Sequence, residues 1–132
     1  DAPVSAIHAD LFPDNVLMIG DRVSGLIDFY FSCTDIRPYD LAVMHSAWCF
    51  SEDGAEFQKN ISDALLAGYR TAFTETAQVD MSMLARGACL RFLLTRAYDW
   101  INTPADAMVT RKDPVAYLER LFFYREHRDI FA

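Results

Sequence analysis

The stretch IHADLFPDN, residues 7–15, sets a histidine, two aspartates, a proline and a terminal asparagine directly before the apolar run Val16-Leu17-Met18-Ile19. No other feature limits the fold as much. Polar residues in this order, between segments that read as extended, must form a loop anchored by strands. Residues 4–9 alternate weakly and predict a short extended segment leading into the loop. Residues 15–20 and 23–31 are rich in β-branched and aromatic side chains, and the GDR between them has turn composition. The pair therefore reads as a β-hairpin.

Positions 15 and 28 are equidistant from the middle of that turn. With two or four loop residues, Asn15 stands across from Asp28 on the same face, with Cβ atoms about 4.5–5.5 Å apart. An amide oxygen and a carboxylate at that separation form a hard, oxygen-only pair. Mg²⁺ favours such a pair, completing its shell with substrate phosphates. A three-residue loop would shift this register.

Beyond the hairpin, SCTDIRP reads as a polar connector, with Pro38 suited to a first helical turn. YDLAVMHSAWCF has the spacing of a buried helix. Phe57, Ile61, Leu65, Tyr69 and Phe73 recur at four-residue steps, which predicts a helix over 55–73 with one apolar face. Residues 81–101 predict a long helix, apolar on most sides and hence central. After a loop, Asp113-Pro114 makes a capping pair for a last helix running to about His127. One small hairpin followed by helices gives an α+β class, mostly α-helical, for a single unit over residues 1–132.

Composition narrows the function classes. Hydrophobic residues are 52% and charged residues 23% of the chain, which is globular composition. A net charge of −7 leaves no cationic excess for nucleic acid or an anionic membrane. Three scattered cysteines without a CxxC fit a reduced, cytoplasmic setting, and three scattered histidines speak against zinc. No apolar run reaches the roughly 18–20 residues that span a bilayer. The first residue is Asp1, and a strand-like segment follows almost at once, as expected of a lobe cut from a longer chain.

His8-Ala9-Asp10-Leu11, three residues, then Asn15 fits the pattern H-x-D-L-x-x-x-N of a kinase catalytic loop, and Asp28-Phe29 follows where a metal-binding Asp-Phe belongs. Phosphoryl transfer needs a carboxylate to orient the attacking hydroxyl and take its proton, which suits Asp10. His8 is better placed to hold the loop by hydrogen bonds than to act as a base. Each residue alone has a bland reading; the ordered set does not.

This segment resembles the aminoglycoside/choline phosphotransferase family, small-molecule kinases with a protein-kinase-like fold. The likeness runs through residues 8–50 and, less specifically, through the helices beyond. The resemblance implies the C-terminal lobe of that fold, carrying a small catalytic hairpin. It further implies ATP as co-substrate, Asp10 as catalytic base, Asn15 and Asp28 as Mg²⁺ and cofactor ligands, and His8 as loop support. Asp40, in YDLA, matches an aspartate that braces the loop. HADLFPDNVL, GLIDFYF and YDLAV most resemble the members acting on L-homoserine; choline, an aminoglycoside or a thio-sugar are alternative acceptors, and a pseudokinase-like binding module is the non-catalytic one.

Two departures stand out. Tyr30 replaces the glycine that follows Asp-Phe in protein kinases, and Phe12 stands where they often carry lysine. The five glycines include no GxG, and no V-A-I-K-like strand precedes the loop. The ATP-covering N-terminal lobe is therefore expected outside these residues, leaving an uncovered cleft beside residues 8–15 and an isolated chain that does not turn over. For an amino-acid acceptor, Tyr30, Asp35 and Trp48 are candidate substrate contacts, with Arg91 or Arg96 reaching the site from the long helix.

Overall fold

The computed structural model describes residues 2–74 and 79–132. Strands fill the first third, and four helices the rest. Strand β1 (Val4–Ile7) enters the polar loop, which closes in a single 3-10 turn, Pro13–Asn15. Strands β2 (Val16–Ile19) and β3 (Arg22–Leu26) form the hairpin, and β4 (Cys33–Ile36) returns antiparallel to β1. The helices are α1 (Arg37–Trp48), α2 (Lys59–Ala72), α3 (Met81–Asn102) and α4 (Val115–Glu126). The α+β class with helices in the majority is as expected, but there are two small two-stranded sheets, β1–β4 and β2–β3, where one was predicted.

Residues 33–36, expected as a connector, are a strand. Cys33 pairs with Ile7 and Ile36 with Val4. This pairing is made through backbone groups while Cys33, Thr34 and Asp35 stay exposed, so no apolar alternation marks it.

The hairpin turn is tighter than expected. Gly20 and Asp21 are its two loop residues, and Gly20 takes φ 61°, the positive angle a type II′ turn demands at its first position. Pairing starts at Ile19–Arg22, and a bulge between Leu17 and Met18 then shifts the register to Leu17–Gly25 and Val16–Leu26. Asn15 consequently faces Ile27, whose N–H donates to the Asn15 carbonyl at 3.0 Å. The predicted direct opposition of Asn15 and Asp28 does not form. The strand also ends at Leu26, short of the expected Phe31, and Asp28 leaves extended geometry with φ 61°.

The helices follow the sequence closely. Asp80 caps α3 by accepting from Met83 N–H at 2.9 Å, and Asp113 accepts from Val115 N–H at 2.8 Å at the start of α4. The core lies where α1 and α4 pack on α3. Leu41, Val43, Ala85, Ala88, Tyr117 and Tyr124 are almost wholly buried there. Phe57, Ile61, Leu65 and Tyr69 lay the apolar stripe of α2 and the segment before it against that core. Helix α3 is central but not enclosed: Leu94, Tyr98 and Ile101 remain exposed on its far half.

Two positions inside the core, His45 and Gly54, tie its helices together in different ways. His45 is fully buried, with one ring nitrogen on Tyr124 Oη and the other 2.7 Å from Ser62 Oγ, and burial lowers its pKa to about 4. Gly54 is buried at φ 79°, and a Cβ there would lie 2.1 Å from the Ala116 carbonyl oxygen. Only glycine lets the α1–α2 connection approach α4 this closely.

Candidate active site

The loop at residues 8–15 is held from three sides. Asp40, in the first turn of α1, accepts the backbone N–H of His8 at 2.8 Å and of Ala9 at 2.7 Å, one on each carboxylate oxygen. Trp48, in the last turn of the same helix, donates its indole N–H to the Leu11 carbonyl at 2.9 Å. Arg91 of α3 donates to the Ala9 carbonyl while its guanidinium lies 4.9 Å from the Phe31 ring and 4.6 Å from the Phe92 ring.

These contacts hold an unfavourable backbone in place. Ala9 takes φ 62°, a left-handed conformation that costs an L-residue about 1–2 kcal/mol. Hydrogen bonds to a charged acceptor contribute roughly 1.5–3 kcal/mol, so the pair on Asp40 offsets that cost. The kink at Ala9 turns the chain between β1 and Asp10.

His8 is buried, and its ring contacts fix its tautomer. Nε2 lies 2.9 Å from the Ile27 carbonyl, which can only accept, so it carries the proton. Nδ1 then accepts the Asp10 backbone N–H at 3.3 Å. The ring packs 4.8 Å from Phe29. With both nitrogens occupied, His8 ties the loop to the segment that carries Asp28.

Asn15, the last residue of the 3-10 turn, donates its side-chain amide to the Asp10 carbonyl at 2.7 Å and, more distantly, to Asp10 Oδ2 at 3.4 Å. That commits the amide nitrogen and leaves the amide oxygen without a partner among the described residues. Asp28 makes no hydrogen bond among the described residues through its carboxylate. Asp10, Asn15 and Asp28 open together onto one cleft of about 360 Å³. Burial raises the pKa of Asp10; Arg91 opposes the rise, the nearby Asp28 carboxylate adds to it, and His8 and Lys112 lower it. Among the described residues no group of three or more His, Cys, Asp or Glu is arranged to hold a metal ion.

The other wall of the cleft comes from α3 and the loop before α4. Arg91, Phe92, Thr95, Arg96 and Asp99 follow one face of the helix, and Lys112 reaches over from the loop. Arg91 and Arg96 were foreseen; Asp99 and Lys112 were not. The spacing 91, 92, 95, 96, 99 is a helical face holding three of the four charges of a mostly apolar helix, a signal present in the sequence. For Lys112, in a loop, there was none.

The three candidate substrate contacts do not line this cleft. Tyr30 is 85% exposed and stacks edge-on against Phe31. Asp35 sits on β4 opposite Ser5 and accepts the Ile36 N–H. Trp48 ties down Leu11 and borders a larger neighbouring cleft.

The profile of the phosphotransferase enzyme family matches residues 1–77. The sequence is 55% identical over 128 residues to a homoserine kinase of Zymomonas mobilis, covering 96% of this chain and 40% of that protein. It is 54% identical over 132 residues to a homoserine kinase of Gluconacetobacter diazotrophicus, covering 98% and 41%. A homoserine kinase of Gluconobacter oxydans is 54% identical over 123 residues, covering 92% and 39%. The chain thus spans about two fifths of the length of the curated relatives it matches.

Proposed function

As this chain belongs to the phosphotransferase enzyme family, we propose that it is the catalytic-loop and acceptor-binding lobe of a homoserine kinase with a protein-kinase-like fold. The reaction is transfer of the γ-phosphoryl group of ATP to the hydroxyl of L-homoserine, giving O-phospho-L-homoserine and ADP. The observation that carries this reading is the convergence of Asp10, Asn15 and Asp28 on one cleft, together with the identity of about 55% to a homoserine kinase.

In this mechanism the acceptor hydroxyl hydrogen-bonds to the Asp10 carboxylate. Its oxygen attacks the γ-phosphorus as the bond to the β–γ bridging oxygen breaks, and its proton passes to Asp10. Most of the rate comes from positioning, which the Asp40, Trp48 and Arg91 anchors supply to the loop. The free Asn15 amide oxygen and the unpartnered Asp28 carboxylate suit a hard divalent cation that takes its remaining ligands from phosphates and water. Those two residues would hold Mg²⁺, which supplies neutralisation of phosphate charge when bound.

The ATP-covering lobe belongs to sequence outside these residues, in line with the greater length of the relatives. The exposed apolar side chains of the hairpin, among them Leu17, Ile19, Val23 and Ile27, support a neighbour on that side. The test is a steady-state assay of the full-length protein with ATP and Mg²⁺ against L-homoserine, choline, an aminoglycoside and a thio-sugar. Homoserine should give the highest kcat/KM; preference for another alcohol overturns the acceptor, and no transfer at all overturns the reading. The isolated 132 residues should be inactive, and measurable turnover by them refutes the separate-lobe assignment.

A further inference from the structure

Two charged side chains on the cleft wall have no oppositely charged partner among the described residues. Arg96 and Asp99 stand three residues apart on α3, a spacing that places side chains side by side on a helix, and both line the cleft that holds Asp10. Yet no ion pair joins them, and neither pairs with another charged side chain among the described residues. Arg96 lies 4.5 Å over the Tyr117 ring and gives one N–H to the Asp113 carbonyl at 3.3 Å. Its other N–H groups make no hydrogen bond among the described residues.

The remaining charges of the wall are accounted for. Arg91 is held by the Ala9 carbonyl between two phenyl rings. Lys112 lies 4.0 Å from Asp14. What is left is one cation and one anion, adjacent and facing the same space, which is the complement of a zwitterion.

We propose that Arg96 binds the α-carboxylate and Asp99 the α-ammonium of the amino-acid alcohol whose hydroxyl is presented to Asp10. The assignment rests on the homoserine reading and deepens it. Its reach is right: Arg91 meets the loop one residue before Asp10, and Arg96 is five residues further along α3, about 7.5 Å of axial rise. Homoserine sets its hydroxyl oxygen three bonds from the α-carbon, so its charged end lies within one side-chain length of that wall. The planar guanidinium, already fixed by stacking, presents paired N–H groups suited to a carboxylate. Choline, with no carboxylate, would leave Arg96 facing an empty wall.

The test uses the full-length protein and two truncated homoserines as competitors: 3-aminopropan-1-ol, which lacks the carboxylate, and 4-hydroxybutanoate, which lacks the ammonium. Arg96→Gln should raise KM for homoserine roughly ten- to a hundredfold and weaken 4-hydroxybutanoate, while leaving 3-aminopropan-1-ol unchanged. Asp99→Asn should show the mirror pattern, and Arg96→Lys should recover part of the loss. A merely structural role for Arg96, pinning Tyr117 and the start of α4, predicts equal weakening of all three compounds, and that result overturns the proposal. So does an unchanged KM. If Arg96→Gln does not fold, the exposed Asp99 decides alone: selective loss of 3-aminopropan-1-ol supports the site, and unselective or no loss overturns it. Failure of the unmodified protein to phosphorylate homoserine sinks the parent reading; phosphorylation of homoserine without the mirrored pattern sinks only this one.

Discussion

The first third of the molecule and the helical remainder are held together by different forces. Around residues 8–15 the chain is fixed by polar contacts at named atoms: Asp40 on two N–H groups, His8 on Ile27 and Asp10, Asn15 on Asp10, Arg91 on Ala9. Around α1, α3 and α4 it is fixed by burial of Leu41, Tyr117, Tyr124 and their neighbours. Directional bonds set positions, and apolar burial sets stability. A substitution in the loop should therefore change turnover more than melting, and one in the core the reverse.

The largest effect expected is on the loop side. Asp10→Asn in the full-length protein should lower kcat by about three orders of magnitude or more, with the melting temperature little changed. A loss of only a few-fold would point to a binding module. Leu41→Ala should reduce unfolding free energy by about 2–5 kcal/mol in urea titrations, while kcat/KM per folded molecule stays within a few-fold.

The core also contains a polar exception. His45 has a folded pKa of about 4 against 6.5 as an ordinary histidine. Between those values the unfolded chain takes up a proton that the folded chain refuses. His45 therefore contributes nothing above pH 6.5 and lowers stability progressively as pH falls toward 4, by about 3 kcal/mol in total. Urea titrations at pH 7 and 4.5 measure the loss, and NMR titration should show the His45 ring neutral down to about pH 4. A ring that titrates near 6.5 would break the argument.

Smaller effects sharpen the contrast. Asp40→Asn leaves one amide oxygen to serve two N–H donors. It should cost roughly ten- to a hundredfold in kcat, with a shift in melting of only a few degrees. Met18→Ser on the exposed hairpin face should change unfolding of the isolated chain by less than about 0.5 kcal/mol.

What the sequence disclosed follows the same division. The loop could be read because its residue types occur in a fixed order, and the helices because α2 and α4 carry period and caps. Register could not. The turn at Gly20–Asp21 alone would set Asn15 opposite Leu26; the extra residue on β3, Ser24, moves it to Ile27, still one short of Asp28, and no local pattern announces a bulge. Strand β4 was missed because backbone pairing leaves its side chains exposed. Trp48 read as a substrate aromatic, yet its indole N–H is bound to the Leu11 carbonyl, a contact between segments far apart in the chain. The charges at 91, 96 and 99 could have been grouped by helical phase, but only coordinates reveal that Arg96 and Asp99 leave each other unpaired.

Helix α1 grips the loop with both its ends, Asp40 below and Trp48 above, while Arg91 adds a third point from α3. A segment clamped at three points to two packed helices behaves as an anvil: it cannot advance or retreat without dragging the bundle along. On the proposed kinase reading, a lobe that closes over a nucleotide would therefore travel toward this loop, and not the loop toward it.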